Sequence, residues 1–262
     1  MKATTIDDII AALQQIIDDS IRTGDRIGYF AALYYKVTSR VRDGIHNGEF
    51  EDGARMEKLD VLFASRYLDA LTQWRNGQQP TVSWQTAFES TQKSAVLVLQ
   101  HLLLGMNAHI NLDLGIAAAE VAGQYPLENV HKDFNTINTI ISSLTYEVLN
   151  ELTQVSPLLS LLGLHAGNTD SILIQFSIDN ARDGAWCFAE ELVSKKGTDY
   201  DTCILERDKN IHQLAGELIH QKGLIRFTIW LIHIFEWKNP RKIVRVLNEY
   251  KKRRIAYATP LH

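Results

Sequence analysis

Apolar residues recur at spacings of three and four along almost the whole chain, which is the period of an α-helix. This pattern covers residues 6–21, 27–45, 56–74, 84–121, 127–152, 172–193, 204–220, 224–236 and 241–251. Few segments alternate apolar and polar residues as strands do. The pattern predicts an all-α fold, a single bundle-like domain over residues 1–262 with a weak break near 163–170. We expect about eight to ten helices around a buried central helix.

The central helix is predicted from one stretch that is poor in charge. Residues 94–112, reading SAVLVLQHLLLGMNAHINL, contain no Asp, Glu, Lys or Arg, and Asp113 follows them directly. A helix with so little charge is expected to be buried. It nevertheless carries five polar side chains, which are Gln100, His101, Asn107, His109 and Asn111. Because a buried polar group without a partner costs a few kcal/mol, side chains, water, a ligand or a metal ion must satisfy them.

The amino-acid composition indicates which kinds of binding partner the protein is expected to lack. The 27 basic and 31 acidic residues give a net charge of −4, which provides no general attraction for nucleic acid or an anionic membrane surface. The basic cluster at residues 251–254 is interpreted as a solvated helix face. A span that holds five polar residues in its centre would insert poorly into a bilayer. We therefore expect neither a nucleic-acid partner nor a membrane.

The ends of the chain and its cysteines favour a cytoplasmic protein. The first residues, MKATTIDDIIAALQQIIDD, are acidic and amphipathic, unlike a signal peptide. Cys187 and Cys203 are too few for a disulfide framework and have no metal-binding spacing. We interpret both as buried small residues in a reducing compartment.

Spacing on the central helix suggests a metal site. His109 and Asp113 are one turn apart, and His101 lies two turns before His109. A neutral imidazole and a carboxylate both suit a divalent metal, so these three residues are candidate ligands for zinc, iron or manganese. His109 and Asp113 have equally good spacing for a hydrogen bond to each other. Asn107 and Asn111 lie on the opposite flank of the helix and are candidates for orienting a bound molecule.

Two other segments place polar residues among apolar ones. Asp60 and Arg66 lie in LDVLFASRYLDA, residues 59–70, and Asp133 and Asn138 lie in KDFNTIN, residues 132–138. One interpretation pairs Arg66 with Asp60, Asp69 or Asp113, so that ion pairs fix helix packing. The other makes Asp60 or Asp133 a metal ligand or general base, with Arg66 in the catalytic set. Asn138 joins the residues that would contact a ligand or cofactor.

The segment GMNAHINLDLG, residues 105–115, together with LDVLFASRYLDA and DFNTIN, resembles a bacterial helical family of unknown function. The resemblance covers about Phe30 to Trp186 and implies no activity. It implies that the family's distinguishing residues are Asp60, Arg66, His101, Asn107, His109, Asn111, Asp113, Asp133 and Asn138.

Three functions are compatible with these residues. The first is a metal-dependent hydrolase in which His101, His109 and Asp113 hold an ion that lowers the pKa of a bound water. The second is a helical binding protein for a small or lipid-like molecule. The third is a structural protein whose polar interior is a closed hydrogen-bond network. Glycine-rich nucleotide loops and the GxSxG nucleophile motif are absent from the sequence, which argues against nucleotide and serine-esterase chemistry.

Overall fold

The computed structural model of the chain describes residues 3–165 and 177–257. The side chains of residues 249–257 and of some residues between 127 and 165 are outside this description. The side chain of Asn138 is among them, so its predicted role lies outside the described residues. Most of the predicted break near 163–170 also lies outside them.

The described residues form α-helices and no strands, which confirms the all-α prediction. In chain order the helices are α1 (Ile6–Thr23), α2 (Ile27–His46), α3 (Gly53–Arg75), α4 (Val82–Thr91), α5 (Val98–Ala108), α6 (Gly115–Ala122), α7 (Leu127–Val155), α8 (Ile178–Val193), α9 (Thr198–Ile219), α10 (Gly223–Phe235) and α11 (Pro240–Tyr257). A π-helical segment, His109–Leu114, joins α5 to α6, and a 3₁₀ segment, Leu159–His165, follows α7. The described part of the chain therefore holds one helix more than the predicted maximum.

The apolar pattern over residues 84–121 predicted one helix, but the structure interrupts it between α4 and α5. The hydroxyls of Ser90 and Thr91 donate to the carbonyls of Ala87 and Phe88, each at 2.7 Å. Such local bonds compete with helix continuation and close α4. The new helix is capped by Gln100, whose side-chain oxygen accepts from the backbone N–H of Leu97 at 3.1 Å.

One continuous helical rod, residues 98–122, forms the centre of the fold. Its first part, α5, packs on α2, α4 and α9, and the π segment packs on α3, α8 and α9. Its last part, α6, packs on α3, α7 and α8. Among the described residues this is the one helix long and apolar enough to cross a membrane by length and composition, and most of it is buried within the fold.

Two glycines let neighbouring elements approach this rod closely. A Cβ on Gly105 would lie 2.4 Å from the ring of Phe30, and a Cβ on Gly115 would lie 2.6 Å from Phe188. Neither distance is tolerable for a carbon contact. The absence of a side chain at Gly105 brings the aromatic face of α2 against α5, next to the start of the π segment.

The rod contributes to two hydrophobic clusters. Leu102, Leu104 and Ala108 belong to a cluster that includes α1, α2 and α4. Leu112 and Ile116 belong to a second cluster that includes α7 and α8. The π segment therefore lies where the two clusters meet.

Candidate functional site

Asp113, in the π segment, is the centre of a buried polar network. Its Oδ2 accepts the indole N–H of Trp84 at 2.8 Å and lies 3.1 Å from Nδ1 of His109. Its Oδ1 accepts Nε–H of Arg66 at 2.9 Å. This arrangement corresponds to the ion-pair interpretation of Arg66, with Asp113 as the partner. Both oxygens of Asp113 are engaged by the protein itself.

The imidazole of His109 is held between aromatic rings. The ring of Phe63 stacks on it with a centroid distance of 3.6 Å and an interplanar angle of 8°. Tyr34 presents an edge contact at 4.5 Å. Burial lowers the pKa of His109, although the adjacent Asp113 carboxylate opposes this effect. Nδ1 lies against Asp113, whereas the buried Nε2 has no hydrogen-bond partner among the described residues.

Asp60, on α3, is a second buried group with an unmet hydrogen bond. Its side chain is 4% exposed, and its Oδ2 has no partner within the described part of the chain. Burial raises the pKa of Asp60 to about 7, and the nearby charge of Glu57 adds to this effect. A carboxyl group with this pKa changes its protonation state near neutral pH.

His109 and Asp60 line the same cavity, which has a volume of about 190 Å³. The walls are otherwise almost entirely aliphatic and aromatic and come from α2, α3, α5, the π segment, α7 and the start of α8. The polar or charged side chains at its wall are those of Tyr34, Asp60, His109 and Arg182. An apolar cavity of about 150 Å³ is large enough to hold benzene. This cavity can therefore hold a small apolar molecule.

His101 is not brought together with His109 and Asp113. Its Nδ1 lies 3.1 Å from the hydroxyl of Ser90, and its ring packs on Tyr29. It lines a separate space of about 20 Å³. Burial, with the charge of Arg26, lowers the pKa of His101 to about 3. Within the described ranges, no three His, Cys, Asp or Glu side chains are grouped so that they could hold a metal ion.

Asp133 lies away from this cavity in a buried ion pair. Arg55 donates to its Oδ2 through Nε at 2.9 Å and through Nη2 at 2.6 Å. Its Oδ1 accepts the backbone N–H of Glu51 at 2.8 Å. This geometry ties the start of α3 to α7.

The two asparagines of the central helix are engaged with α9. Nδ2 of Asn107 donates to the carbonyl of Ile211 at 2.9 Å, and Nδ2 of Asn111 donates to Oδ1 of Asn107 at 2.9 Å. Nε of Arg207 donates to the carbonyl of Asn111 at 3.0 Å. Neither asparagine lines the cavity beside His109. The amide of Asn107 and the backbone carbonyl of Asn111 instead hold α9 against the central helix.

Sequence reasoning missed the aromatic residues that surround His109. Phe30 and Tyr34 are one turn apart on α2, and Phe63 and Tyr67 are one turn apart on α3. Such pairs on two helices are a weak signal for an aromatic cluster, because the same spacing occurs in ordinary cores. Trp84, at the start of α4, was likewise not predicted as the partner of Asp113.

The fold and the site define an all-α protein whose central helix carries a buried His–Asp pair beside an apolar cavity. The chain belongs to the family of unknown function DUF5995, whose sequence model matches residues 6–221. No curated protein and no solved structure matches the chain. The family match confirms the resemblance to an uncharacterised helical family, and the matched range includes every candidate site residue.

Proposed function

We propose that this protein binds a small apolar, lipid-like molecule in the cavity between α2, α3, α5 and α7. The observation that carries the proposal is the cavity itself, an apolar space of about 190 Å³ beside polar atoms that have no partner among the described residues. A space of this kind is typical of a ligand site, in which apolar walls supply affinity and a few polar groups fix orientation. Nε2 of His109 and Oδ2 of Asp60 would provide that orientation.

The position of unpartnered polar atoms at the cavity wall supports a ligand over a purely structural interior. A closed network would satisfy its members, as Asp113 and Asn107 are satisfied here. In contrast, the unpartnered atoms of His109 and Asp60 each cost on the order of 1–3 kcal/mol if nothing binds them. Their position at the cavity wall is where a bound molecule would complete their hydrogen bonding.

Filling the cavity is expected to weaken binding. Val148→Phe places an aromatic ring at the cavity wall, so toluene should bind at least tenfold more weakly in isothermal titration calorimetry. Val193→Phe is the matched control, because Val193 is 43% exposed and does not line the cavity. Equal toluene affinity in both variants, or no binding by the wild-type protein, would contradict the proposal.

The His109–Asp113 pair favours a second candidate function, a hydrolase. A carboxylate that fixes one imidazole nitrogen leaves the other to act as a general base. Nε2 of His109 would take a proton from a water whose oxygen attacks an ester carbonyl carbon. When the ester C–O bond breaks, the departing alkoxide would take that proton from Nε2 and leave as an alcohol. In a metal-dependent form, Nε2 of His109 would be a ligand to zinc, iron or manganese.

Elemental analysis of the tag-free protein tests the metal-dependent form. This form predicts about one equivalent of zinc, iron or manganese in the wild-type protein and its loss in His109→Ala. His101→Ala should retain the metal, because His101 lines a different space. Absence of metal after dialysis against all three ions would exclude this form and leave the binding function.

A further inference from the structure

The protonation pattern of the His109–Asp113 pair specifies the chemistry of the ligand's polar end. Asp113 is paired with Arg66 and accepts the indole N–H of Trp84, both of which stabilise its carboxylate form. A carboxylate can only accept hydrogen bonds, so the hydrogen between Asp113 and His109 belongs to Nδ1 of His109.

This assignment leaves Nε2 of His109 with a lone pair. A neutral imidazole carries one ring hydrogen, and burial among Phe63, Tyr34 and Phe30 disfavours the charged form. Nε2 is therefore an acceptor, and it has no donor among the described residues. A ligand group that only accepts, such as an ether or a carboxylate, would place its lone pairs against that of Nε2.

The cost of burying charge favours a ligand whose donor group is uncharged. A fully charged ligand end would have to leave water for a cavity whose walls are almost entirely apolar, which is costly. Arg182 at the wall would also oppose a cation. Arg182 would attract an anion, but a carboxylate has no hydrogen to donate to Nε2 of His109. An uncharged donor avoids these costs.

We propose that the cavity binds a small apolar alcohol, whose hydroxyl group donates a hydrogen bond to Nε2 of His109. The alcohol class rests on the proposed binding function and specifies its ligand. The hydroxyl oxygen would remain free to accept from a second group at the wall, such as the hydroxyl of Tyr34.

The test compares molecules of matched size with different ends. At about pH 8, 1-heptanol is expected to bind about tenfold more tightly than its isomer 1-methoxyhexane, which cannot donate, and than octane. Heptanoate and heptylammonium are expected to bind more weakly than the alcohol. Isothermal titration calorimetry of the wild-type protein provides all five affinities.

The outcomes separate the alcohol proposal from the binding function. Equal affinity for the alcohol, ether and alkane would overturn the alcohol class while the cavity still binds. Tightest binding of heptanoate or heptylammonium would overturn it in the same way. Failure of all five probes to bind would overturn the binding function itself.

A double substitution checks the role of Asp113 in this preference. Trp84→Phe removes the indole N–H that shares Oδ2 of Asp113 with His109. In the double variant Asp113→Asn/Trp84→Phe, the amide nitrogen can therefore donate to Nδ1 of His109, which moves the ring hydrogen to Nε2 and allows the site to bind an ether oxygen. The preference of 1-heptanol over 1-methoxyhexane is therefore expected to fall to about twofold or less. A tenfold preference retained in a folded Asp113→Asn/Trp84→Phe variant, with its fold checked by circular dichroism, would overturn the assignment, whereas Trp84→Phe alone should keep the preference.

Discussion

The Asp113→Ala variant is expected to lose about 3–5 kcal/mol of unfolding free energy relative to the wild-type protein. The substitution removes the acceptor of three side chains at once, which are those of Arg66, Trp84 and His109. It leaves a guanidinium and an indole N–H without their buried partner. Because domains of this kind have a total stability of about 5–15 kcal/mol, urea denaturation should show a large shift of the midpoint.

Two comparisons show whether the loss comes from this network. Asp69→Ala is the matched control, because Asp69 is an exposed carboxylate on α3, and its loss should change stability by less than about 0.5 kcal/mol. Adding Arg66→Met to Asp113→Ala should recover part of the loss, because the unpaired charge is then removed. Strictly additive effects of the two substitutions would show that the pair is not coupled.

Asp60→Asn is expected to stabilise the protein above neutral pH, by up to about 4 kcal/mol at pH 8. The folded-state pKa of Asp60 is raised to about 7, whereas its ordinary value is 3.8. Between these two values the folded protein retains a proton that the unfolded chain has lost, so stability from this group falls as pH rises. The contribution is complete below about pH 4 and is lost above about pH 7.

Urea denaturation of wild type and Asp60→Asn from about pH 5 to pH 8 measures this difference. The difference in unfolding free energy between the two proteins should widen as pH rises to about 7 and then level off, because the asparagine side chain of the variant does not titrate. Asp69→Asn serves as the control, since removal of an exposed carboxylate should leave a gap that is small and independent of pH. A gap that stays constant for Asp60→Asn would mean that the carboxyl group has a normal pKa in the folded protein.

The buried carboxyl group of Asp60 does not stabilise the fold at neutral pH, because burial raises its pKa. Natural proteins retain costly buried groups most often where a ligand or a reaction uses them. Asp60 lines the cavity, so its destabilising effect is consistent with a role toward a bound molecule.

Much of the fold could be predicted from the sequence because it depends on local patterns. Helical periodicity identified the segments that form α1, α2, α3 and α7 to within a few residues. The lack of charge in residues 94–112 correctly indicated a buried central helix. The break after α4 was missed because it depends on the hydroxyls of Ser90 and Thr91, which suit both a helix and its end.

The candidate site was predictable only in part. Spacing along one helix placed His109 next to Asp113, and Arg66 was among the partners considered for that carboxylate. The buried pairs Arg55–Asp133 and Lys36–Glu151 join residues 78 and 115 positions apart, so no local pattern could show them. A cavity likewise arises from the packing of several helices and leaves no mark in any one of them.

The π segment sets how the side chains that follow it are rotated about the axis of the central rod. A π turn closes its hydrogen bonds over five residues instead of four, so it acts as a single-residue insertion into a helix. Deleting one residue between His109 and Leu114 would rotate every later side chain of the rod by about 100°. Ile116 would then turn away from the cluster it shares with α7 and α8. The insertion thus allows one continuous rod to contribute side chains to both hydrophobic clusters.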